Sequence, residues 1–458
     1  MAQFRVPPCL RPIEKRFREH GFSCYLVGGA VRSLALKKKP VDFDLATDAT
    51  PEQVMRIFRR VAPTGIKHGT VTILEGEHTF ETTTFRTDGE YRDGRHPEDV
   101  EFTRSLEHDL RRRDFTINGM ALDIRTGRLI DPHHGLDDLR DKTIRCIGEP
   151  DDRLSEDGLR LMRAVRFAAQ LGFSIDEKTS AAVTRHAHRI AAVSVERIRD
   201  ELQKTLLAEN VYIGLRLFPD LGMLPYVLPE LVPTTAALPG VEQNVYDHLS
   251  LTCQGAPPEP VLRFAALFHD AGKPATHKID PESGRVTFHG HDVVSAEITE
   301  ATLRRLKVPN ATISQTAHLV RNHMFQYGPD TPDTALRKLV SRVGIATIPD
   351  LIALRRADIF GKTGVYRTSP YLDELETRLD RLCEQQTAFT VRDLAVTGND
   401  LHEHAGIPKG PAMGQVLDFL LETVLDDPSN NTRSDLLTIA ERYYRTRINP
   451  SDASNRST

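Results

Sequence analysis

Residues 25–45 read YLVGGAVRSLALKKKPVDFDL. Tyr25 to Val27 form a short apolar run that suits a β-strand, Gly28 and Gly29 make a turn, and a short helix starts near Ala30. A basic connection then leads into a second strand carrying Asp42 and Asp44. Side chains at i and i+2 of a strand share a face, so the two carboxylates stand side by side. Like charges that close repel unless a cation lies between them, so the pair asks for a divalent metal, and a hard one such as Mg²⁺. Gly28 and Gly29 lack a Cβ and let a ligand approach the backbone at a helix N-terminus, where N–H groups and the helix dipole favour phosphate. Arg32, one turn on, adds a fixed positive charge. A lone Gly-Gly is usually a turn and a lone Asp-x-Asp a solvated strand end. In the order strand, Gly-Gly, helix, strand, Asp-x-Asp they point to metal-dependent phosphoryl or nucleotidyl transfer.

LVGGAVR followed by DFDLAT resembles the nucleotidyltransferase signature of the polymerase-β-like superfamily, in the form of its tRNA nucleotidyltransferase and bacterial poly(A) polymerase branch. Ser33 stands where that branch usually has Asp, a departure that leaves the metal pair untouched. Around this stretch the chain is long. Its 458 residues exceed one hydrophobic core and suit two to four domains. With 39% hydrophobic and 27% charged residues the composition is that of a soluble globular protein. No apolar run spans a bilayer, and MAQFRVPPCLRP is no signal peptide. Five scattered cysteines without CxxC suggest a reducing compartment, here the cytoplasm, and no zinc finger. The net charge of −4 announces no nucleic acid globally, so any such partner needs a local basic surface.

Residues 10–20 form an amphipathic helix before the first strand. Thr50-Pro51-Glu52 reads as a cap and first turn, with EQVMRIFRRV continuing as helix. KHGTVTIL and HTFETTTFR, joined at Glu75-Gly76-Glu77, read as a hairpin. Glu81 on its second strand is either a third metal carboxylate or an ordinary exposed strand residue. The resemblance, which places a Glu in this strand, implies the metal role. Residues 86–100, RTDGEYRDGRHPEDV, are polar and aperiodic, a mobile loop. In the resembling CCA-adding enzymes a loop here serves the final adenosine, which implies the full activity.

In DLRRRDFTINGMALDI, Arg112 and Arg113 precede Asp114, and Asn118 follows four residues later, on one face of a helix beside an arginine pair able to bind triphosphate. The match to the family's RRDxxxN motif implies that Arg112, Arg113, Asp114 and Asn118 serve the nucleotide, with Arg113 and Asn118 on phosphates and ribose. From 153 the period turns helical: RLSEDGLRLMRAVRFAAQLGF. Asp157 and Arg160, at i and i+3, share a side. An acceptor beside a donor fork can match the Watson–Crick edge of cytosine or adenine, while guanine and uracil present the wrong polarity. Alone, such a pair is more often a solvated ion pair worth a few tenths of a kcal/mol. Placed after RRDxxxN, the EDxxR motif resembles that of class II CCA-adding enzymes, in which the protein itself selects the base. Arg163, one turn on, joins the nucleotide-binding set. In SVERIRDELQKTLL, Glu196, Arg197 and Glu201 read as braces of the neck.

A proline-rich stretch, residues 219–260, leads into VYDHLS, VLRFAALFHDAGKP, FHGHD, VRNHMF and LRRADI. His248, the adjacent His269-Asp270 and Asp358 make a four-ligand site for a second divalent metal. His291 and His323 either add ligands or hold a phosphate. The series resembles HD-domain phosphohydrolases, which implies hydrolysis of a cyclic phosphodiester or phosphate monoester; a decayed scaffold that supports RNA is the alternative. The tail, VTGNDLHEHAGIPKGPAMGQVLDFLLETVLDDP, has a capped turn and a Gly/Pro loop (Ile407 to Gly414) entering a helix, suited to an RNA phosphate or to plain capping. NPSDASNRST reads as disordered.

The expected architecture is α+β, a small mixed-sheet head followed by a mostly helical remainder. Its parts are a nucleotidyltransferase head at 1–148, a nucleotide-selecting neck at 149–218, an HD-like module at 219–370 and an RNA-binding tail at 371–458. The resemblance implies template-independent addition of CCA to tRNA 3′ ends from CTP and ATP. In that reading Asp42 and Asp44, with Glu81, hold two Mg²⁺ ions, while Gly28, Gly29, Arg32 and Arg113 place the triphosphate. The alternatives are a poly(A) polymerase or a partial CC- or A-adding enzyme, and, from another class, an HD phosphohydrolase or RNA scaffold with an inactive head. The acidic patch from Leu425 to Pro428 argues against a poly(A) polymerase, and the filled Asp-x-Asp against an inactive head.

Overall fold

Apolar residues at positions 10, 13 and 17 fall on one face of a helix. Helix α1 (Leu10–Glu19) accordingly buries Leu10, Ile13 and Phe17 in the main core. The computed structural model describes residues 3–88, 100–328, 330–366, 369–384 and 388–449. β1 (Cys24–Val27), α2 (Gly29–Ala35) and β2 (Phe43–Thr47) follow in the expected order, with Asp42 just before the second strand rather than in it. α3 (Pro51–Ile57) opens on a capping box, in which the Gln53 N–H donates to Thr50 Oγ1 and the Thr50 N–H to Gln53 Oε1.

The helix expected to run through Val61 stops at Ile57. Phe58 turns extended and buries its ring 5.0 Å from that of Phe17. The chain then enters β3 (Val61–Gly65), which Pro63 and Gly65 concealed in the sequence. β4 (Thr70–Glu75) and β5 (His78–Thr84) form the expected hairpin, with Glu75 facing His78 across the turn. β6 (Arg86–Asp88) pairs with β7 (Val100–Phe102), and residues 89–99 of the loop read from the sequence lie outside the described residues. α4 (Leu106–Arg111), β8 (Ala121–Asp123), β9 (Leu129–Ile130) and α5 (Gly135–Arg140) complete the head. The sheet order is β3-β4-β5-β2-β1-β8-β9. β1 and β2 are antiparallel, whereas β2 and β5 are parallel and set Asp44 opposite Glu81.

The rest is mostly helical. α6 (Pro150–Glu156), α7 (Leu159–Leu171), α8 (Glu177–His186) and α9 (Val195–Leu206) follow the head. α7 buries Leu161, Met162, Val165 and Phe167, so it is a central beam rather than a surface helix. Beyond it the helices Val245–Gly255, Pro260–Phe268, His291–Arg305, Asn310–Asn322 and Ile348–Thr363 pack together. One apolar core is continuous from Val6 to Leu425, and a second, around Leu401, Val416, Leu420 and Leu436, organises the tail. No described helix is long and apolar enough to cross a membrane. Residues 450–458, which read as disordered, lie outside the described residues.

Candidate active site and a buried histidine–aspartate cluster

Gly28 decides the geometry of the first turn. Its φ of 65° and ψ of −136° lie where only glycine is comfortable. A Cβ there would sit 3.2 Å from Asp44 Oδ2 and 3.5 Å from Arg113 Nη1. The turn thus brings backbone, carboxylate and guanidinium to one point. Gly29 is already helical, and a Cβ on it would meet only Arg32 Nη2 at 3.7 Å. Gly28→Ala is therefore expected to cost about 1–3 kcal/mol of backbone strain, while Gly29→Ala should hold or raise stability through helix propensity, worth about 1 kcal/mol. Thermal unfolding of the two variants checks the contrast; equal melting temperatures would refute this role for Gly28.

Asp44 and Glu81 face each other on parallel strands, and Asp42 precedes Asp44 by two residues. Burial and the charge of Asp42 push the Asp44 carboxyl up, with Arg113 and Arg32 pulling against them. Glu81 is open to solvent, yet the surrounding protein and the charges of Asp44 and Asp42 raise its carboxyl too. Three neighbouring carboxylates, with the ionised forms of Asp44 and Glu81 disfavoured, suit a hard divalent cation.

No α-helix joins positions 114 and 118, contrary to the expectation. α4 ends at Arg111, and a 3₁₀ turn covers Thr116–Asn118. The two side chains meet regardless, Asn118 Nδ2 donating to Asp114 Oδ1 at 3.1 Å. Asp114 also receives Arg163 Nε at 2.6 Å. Burial opposes its charge, but Arg163 and Asn118 outweigh burial and hold it down at about 2. Arg32 donates to Asn118 Oδ1, and burial with the neighbouring Arg166 and Arg163 lowers its guanidinium to about 10. Arg112 and Arg113 are both tethered to Asp109, at 2.9 and 3.2 Å. Asp109 is only 1% exposed and went unremarked in the sequence, although its spacing of three and four from the two arginines is the signal.

Arg166 and Phe167 were also missed. The guanidinium carbons of Arg166, Arg32 and Arg163 lie 4.3, 4.8 and 5.3 Å from the centroid of the buried Phe167 ring. The three-residue spacing of Arg160, Arg163 and Arg166 was the available hint.

Asp157 and Arg160, expected to read the base as a pair on one helix, also differ from that form. α6 ends at Glu156, and Asp157, at φ −141° and ψ 114°, lies in the break before α7. Asp157 and Arg160 take separate partners. Asp157 Oδ1 accepts the Leu159 N–H at 2.9 Å, and its Oδ2 receives Arg197 Nη2 at 2.7 Å. Arg160 binds the Glu156 carboxylate and the carbonyls of Arg153 and Arg112, at 2.7 and 3.3 Å for the carbonyls. Arg197, expected to brace the neck helices, bonds Asp157 and also stands in the cavity wall described below. Glu201 pairs with Arg166 at 2.7 Å and Glu196 with Lys307 at 2.6 Å.

These groups surround a cavity of about 620 Å³, nucleotide-sized, with Gly28, Arg32 and Asp44 in its wall together with Asp157, Arg160 and Arg197. His68, Thr70 and Arg86 form another part of that wall that sequence reading did not single out. Asp42 and Glu81 are not in the wall; Asp42 lies two residues before Asp44, and Glu81 faces Asp44 from β5.

The second predicted set also comes together. His248 and Asp358 come from two helices and His269 and Asp270 from the end of a third; all four are buried, as are His291 and His323. His248 Nε2 lies 3.1 Å from His269 Nε2 and 3.2 Å from Asp358 Oδ1. Asp358 Oδ1 and His248 Nδ1 are buried without a hydrogen bond. A buried carboxylate oxygen with no donor is costly unless a cation takes it, so the donor set fits a divalent metal.

Three family models match: poly(A) polymerase head domain at residues 24–145, RNA and SrmB-binding site of polymerase A at 172–234, and tRNA nucleotidyltransferase domain 2 at 293–440. The chain is 35% identical over 421 residues to the CCA-adding enzyme of Geobacillus kaustophilus, covering 92% of this chain and 93% of that one. It is 33% identical over 436 residues to that of Enterococcus faecalis, covering 94% and 95%. Its structure matches that of the Bacillus stearothermophilus CCA-adding enzyme in complex with CTP, with a TM-score of 0.74, 29% identity and coverage of 96% and 99%.

Proposed function

The chain belongs to the family of CCA-adding enzymes, and we propose that it builds the CCA end of tRNA from CTP and ATP, in the cytoplasm and without a nucleic-acid template. The observation that carries this reading is one cavity with the Gly28 turn, Arg32, Arg113 and Asp44 in its wall together with Asp157 and Arg160, and with Glu81 opposite Asp44. Gly28, Gly29, Arg32 and Arg113 bind the triphosphate through backbone N–H groups and guanidinium forks. Asp157 accepts from the exocyclic amino group of cytosine or adenine, and Arg160 donates to the ring acceptors. Uracil and guanine would set acceptor against acceptor and donor against donor, which is how buried polar groups reject a wrong ligand.

With both ends of the nucleotide held, the tRNA 3′-oxygen attacks the α-phosphorus as the bond to pyrophosphate breaks, and much of the barrier is met by positioning. Asp42, Asp44 and Glu81 would hold Mg²⁺ ions, whose chemistry is to acidify the 3′-hydroxyl and neutralise charge on the departing pyrophosphate. Asp114, fixed by Arg163, keeps Asn118 and through it Arg32 in place.

The test uses tRNA lacking CCA, tRNA ending in C and tRNA ending in CC, each with a single nucleotide. CTP should extend the first two and ATP only the third. Repeated adenosine on all three would indicate a poly(A) polymerase, and extension of only one class a partial enzyme.

The buried cluster favours a second reading. We infer that His248, His269, Asp270 and Asp358 hold a divalent metal, as a phosphohydrolase site of the HD type requires. The orphaned Asp358 Oδ1 supports it.

A further inference from the structure

Six arginines in the wall of the nucleotide cavity are each tied to a carboxylate. Arg112 and Arg113 are held by Asp109, Arg160 by Glu156, Arg163 by Asp114, Arg166 by Glu201 and Arg197 by Asp157. Arg32 stands in the same wall but makes no ion pair among the described residues. Its guanidinium donates to the amide oxygen of Asn118, and its central carbon lies 4.8 Å from the centroid of the Phe167 ring. For an arginine that is to meet a triphosphate the difference matters. A carboxylate takes up N–H donors and cancels the charge that attracts the anion. An aromatic face attracts the cation through its quadrupole and uses no N–H donor, so the fork stays open.

Phe167 is itself firmly placed. It is 3% exposed, on α7, and lies edge-to-face with Phe115 of the head at 5.8 Å and 86°. Phe115 directly follows Asp114, the residue that receives the Asn118 amide. The ring and Asn118 thus reach Arg32 from one connected frame. Arg166 and Arg163 lie 4.3 and 5.3 Å from the same centroid, but Glu201 and Asp114 already fix them, at 2.7 and 2.6 Å. Toward Arg32 they act as crowding like charges, and burial together with these two lowers its guanidinium to about 10. Arg32 needs a counterweight if it is to stay among them before an anion arrives. Asn118 supplies one neutral contact, and the ring face supplies the other.

We propose that Phe167 is a positioning residue for the triphosphate: its ring holds Arg32 by a cation–π contact where carboxylates hold the neighbouring arginines, and so leaves the Arg32 fork free for phosphate. This rests on the reading above in which Arg32 binds the triphosphate of CTP and ATP, and it adds the device that keeps Arg32 ready.

The test uses the full chain with phenylalanines carrying one, two or three ring fluorines at position 167. Fluorine draws electron density from the ring faces while nearly keeping the shape, so packing is held and the attraction for a cation fades. Binding of CTP and of ATP is measured by equilibrium dialysis without tRNA, and KM and kcat are measured with tRNA. Affinity should fall about twofold per fluorine and about tenfold for three, alike for CTP and ATP because both carry the same triphosphate. At saturating nucleotide kcat should stay within about twofold of the parent, since a contact made equally in ground and transition state is lost from KM alone. Phe167→Leu keeps an apolar side chain but has no ring face, and it should weaken CTP at least as much as three fluorines do. Affinities that stay flat across the series, or a leucine variant that binds like the parent, would overturn the proposal. So would a loss of kcat at constant KM, which a distorted neck would give, or a loss for CTP alone, which would move the ring to base reading. Failure of the unfluorinated protein to bind either nucleotide would instead overturn the reading on which the proposal rests.

Discussion

Asp44→Asn is expected to lower nucleotide addition on the order of a thousandfold or more while leaving the protein at least as stable as the parent. The two halves have one cause. Asp44 is a partly buried carboxylate whose ionised form is disfavoured by burial and by Asp42, so its charge costs folding free energy. Its folded pKa lies above its unfolded one. Its ionised form therefore destabilises the fold above the unfolded pKa, and the penalty fades as the pH falls to that value. An amide of the same shape removes the penalty at neutral pH. The same amide gives up the carboxylate that faces Glu81 across the parallel strands, stands beside the Gly28 turn and is proposed above to hold Mg²⁺. Several kcal/mol of transition-state stabilisation should go with it, and each 1.4 kcal/mol is tenfold in rate. Single-turnover CMP incorporation, tRNA binding and thermal unfolding in chelator give the three readouts. Turnover within tenfold of the parent would remove Asp44 from the chemistry; a lower melting temperature in chelator would refute the electrostatic account.

What the sequence disclosed follows a physical division. Local signals carried well. The Thr50 cap with Gln53 three residues on, the two-residue turn between alternating strands and the three-four spacing of α1 are all set by neighbours in the chain. Convergence was legible as well: the histidine–aspartate series comes together although it spans more than a hundred residues of chain. Partnerships were less legible. Nothing near Asp157 announces that Arg197, forty residues on, will hold it. Nothing near Arg166 announces that three guanidinium groups will gather on Phe167. Periodicity also overran its limits. It carried α3 past Ile57, where the pull of Phe17 on Phe58 ends the helix, and it ran α6 into α7, where Asp157 turns aside to cap Leu159. In both places tertiary partners outweigh a local preference worth less than about 1 kcal/mol per residue.

That break in the neck gives Arg197 its importance. A residue inside a helix is oriented by its backbone; Asp157 is not, because its φ and ψ are extended. Its carboxylate is fixed by two groups, the Leu159 N–H and the Arg197 guanidinium, which reaches across from α9. Arg197→Ala leaves the first and removes the second, so the carboxylate can rotate away from the edge of the incoming base. Loss of a geometric constraint should show in selectivity more than in turnover. A site that reads a base through buried hydrogen bonds can reject the wrong one by about 10⁴-fold. The variant should lose about a hundredfold of that, with misincorporation of UMP and GMP rising while CMP addition falls about tenfold. Arg197→Lys should recover little, because an ammonium cannot reproduce the fork that spans both carboxylate oxygens, at 2.7 and 3.5 Å. The comparison that isolates the effect is Glu196→Ala. Glu196 braces the same helix through Lys307 at 2.6 Å but does not touch Asp157. Selectivity should survive that change. If Arg197→Ala slows all four nucleotides equally, as a general loosening of the neck would, then Arg197 is a strut and Asp157 takes its orientation from Leu159 alone.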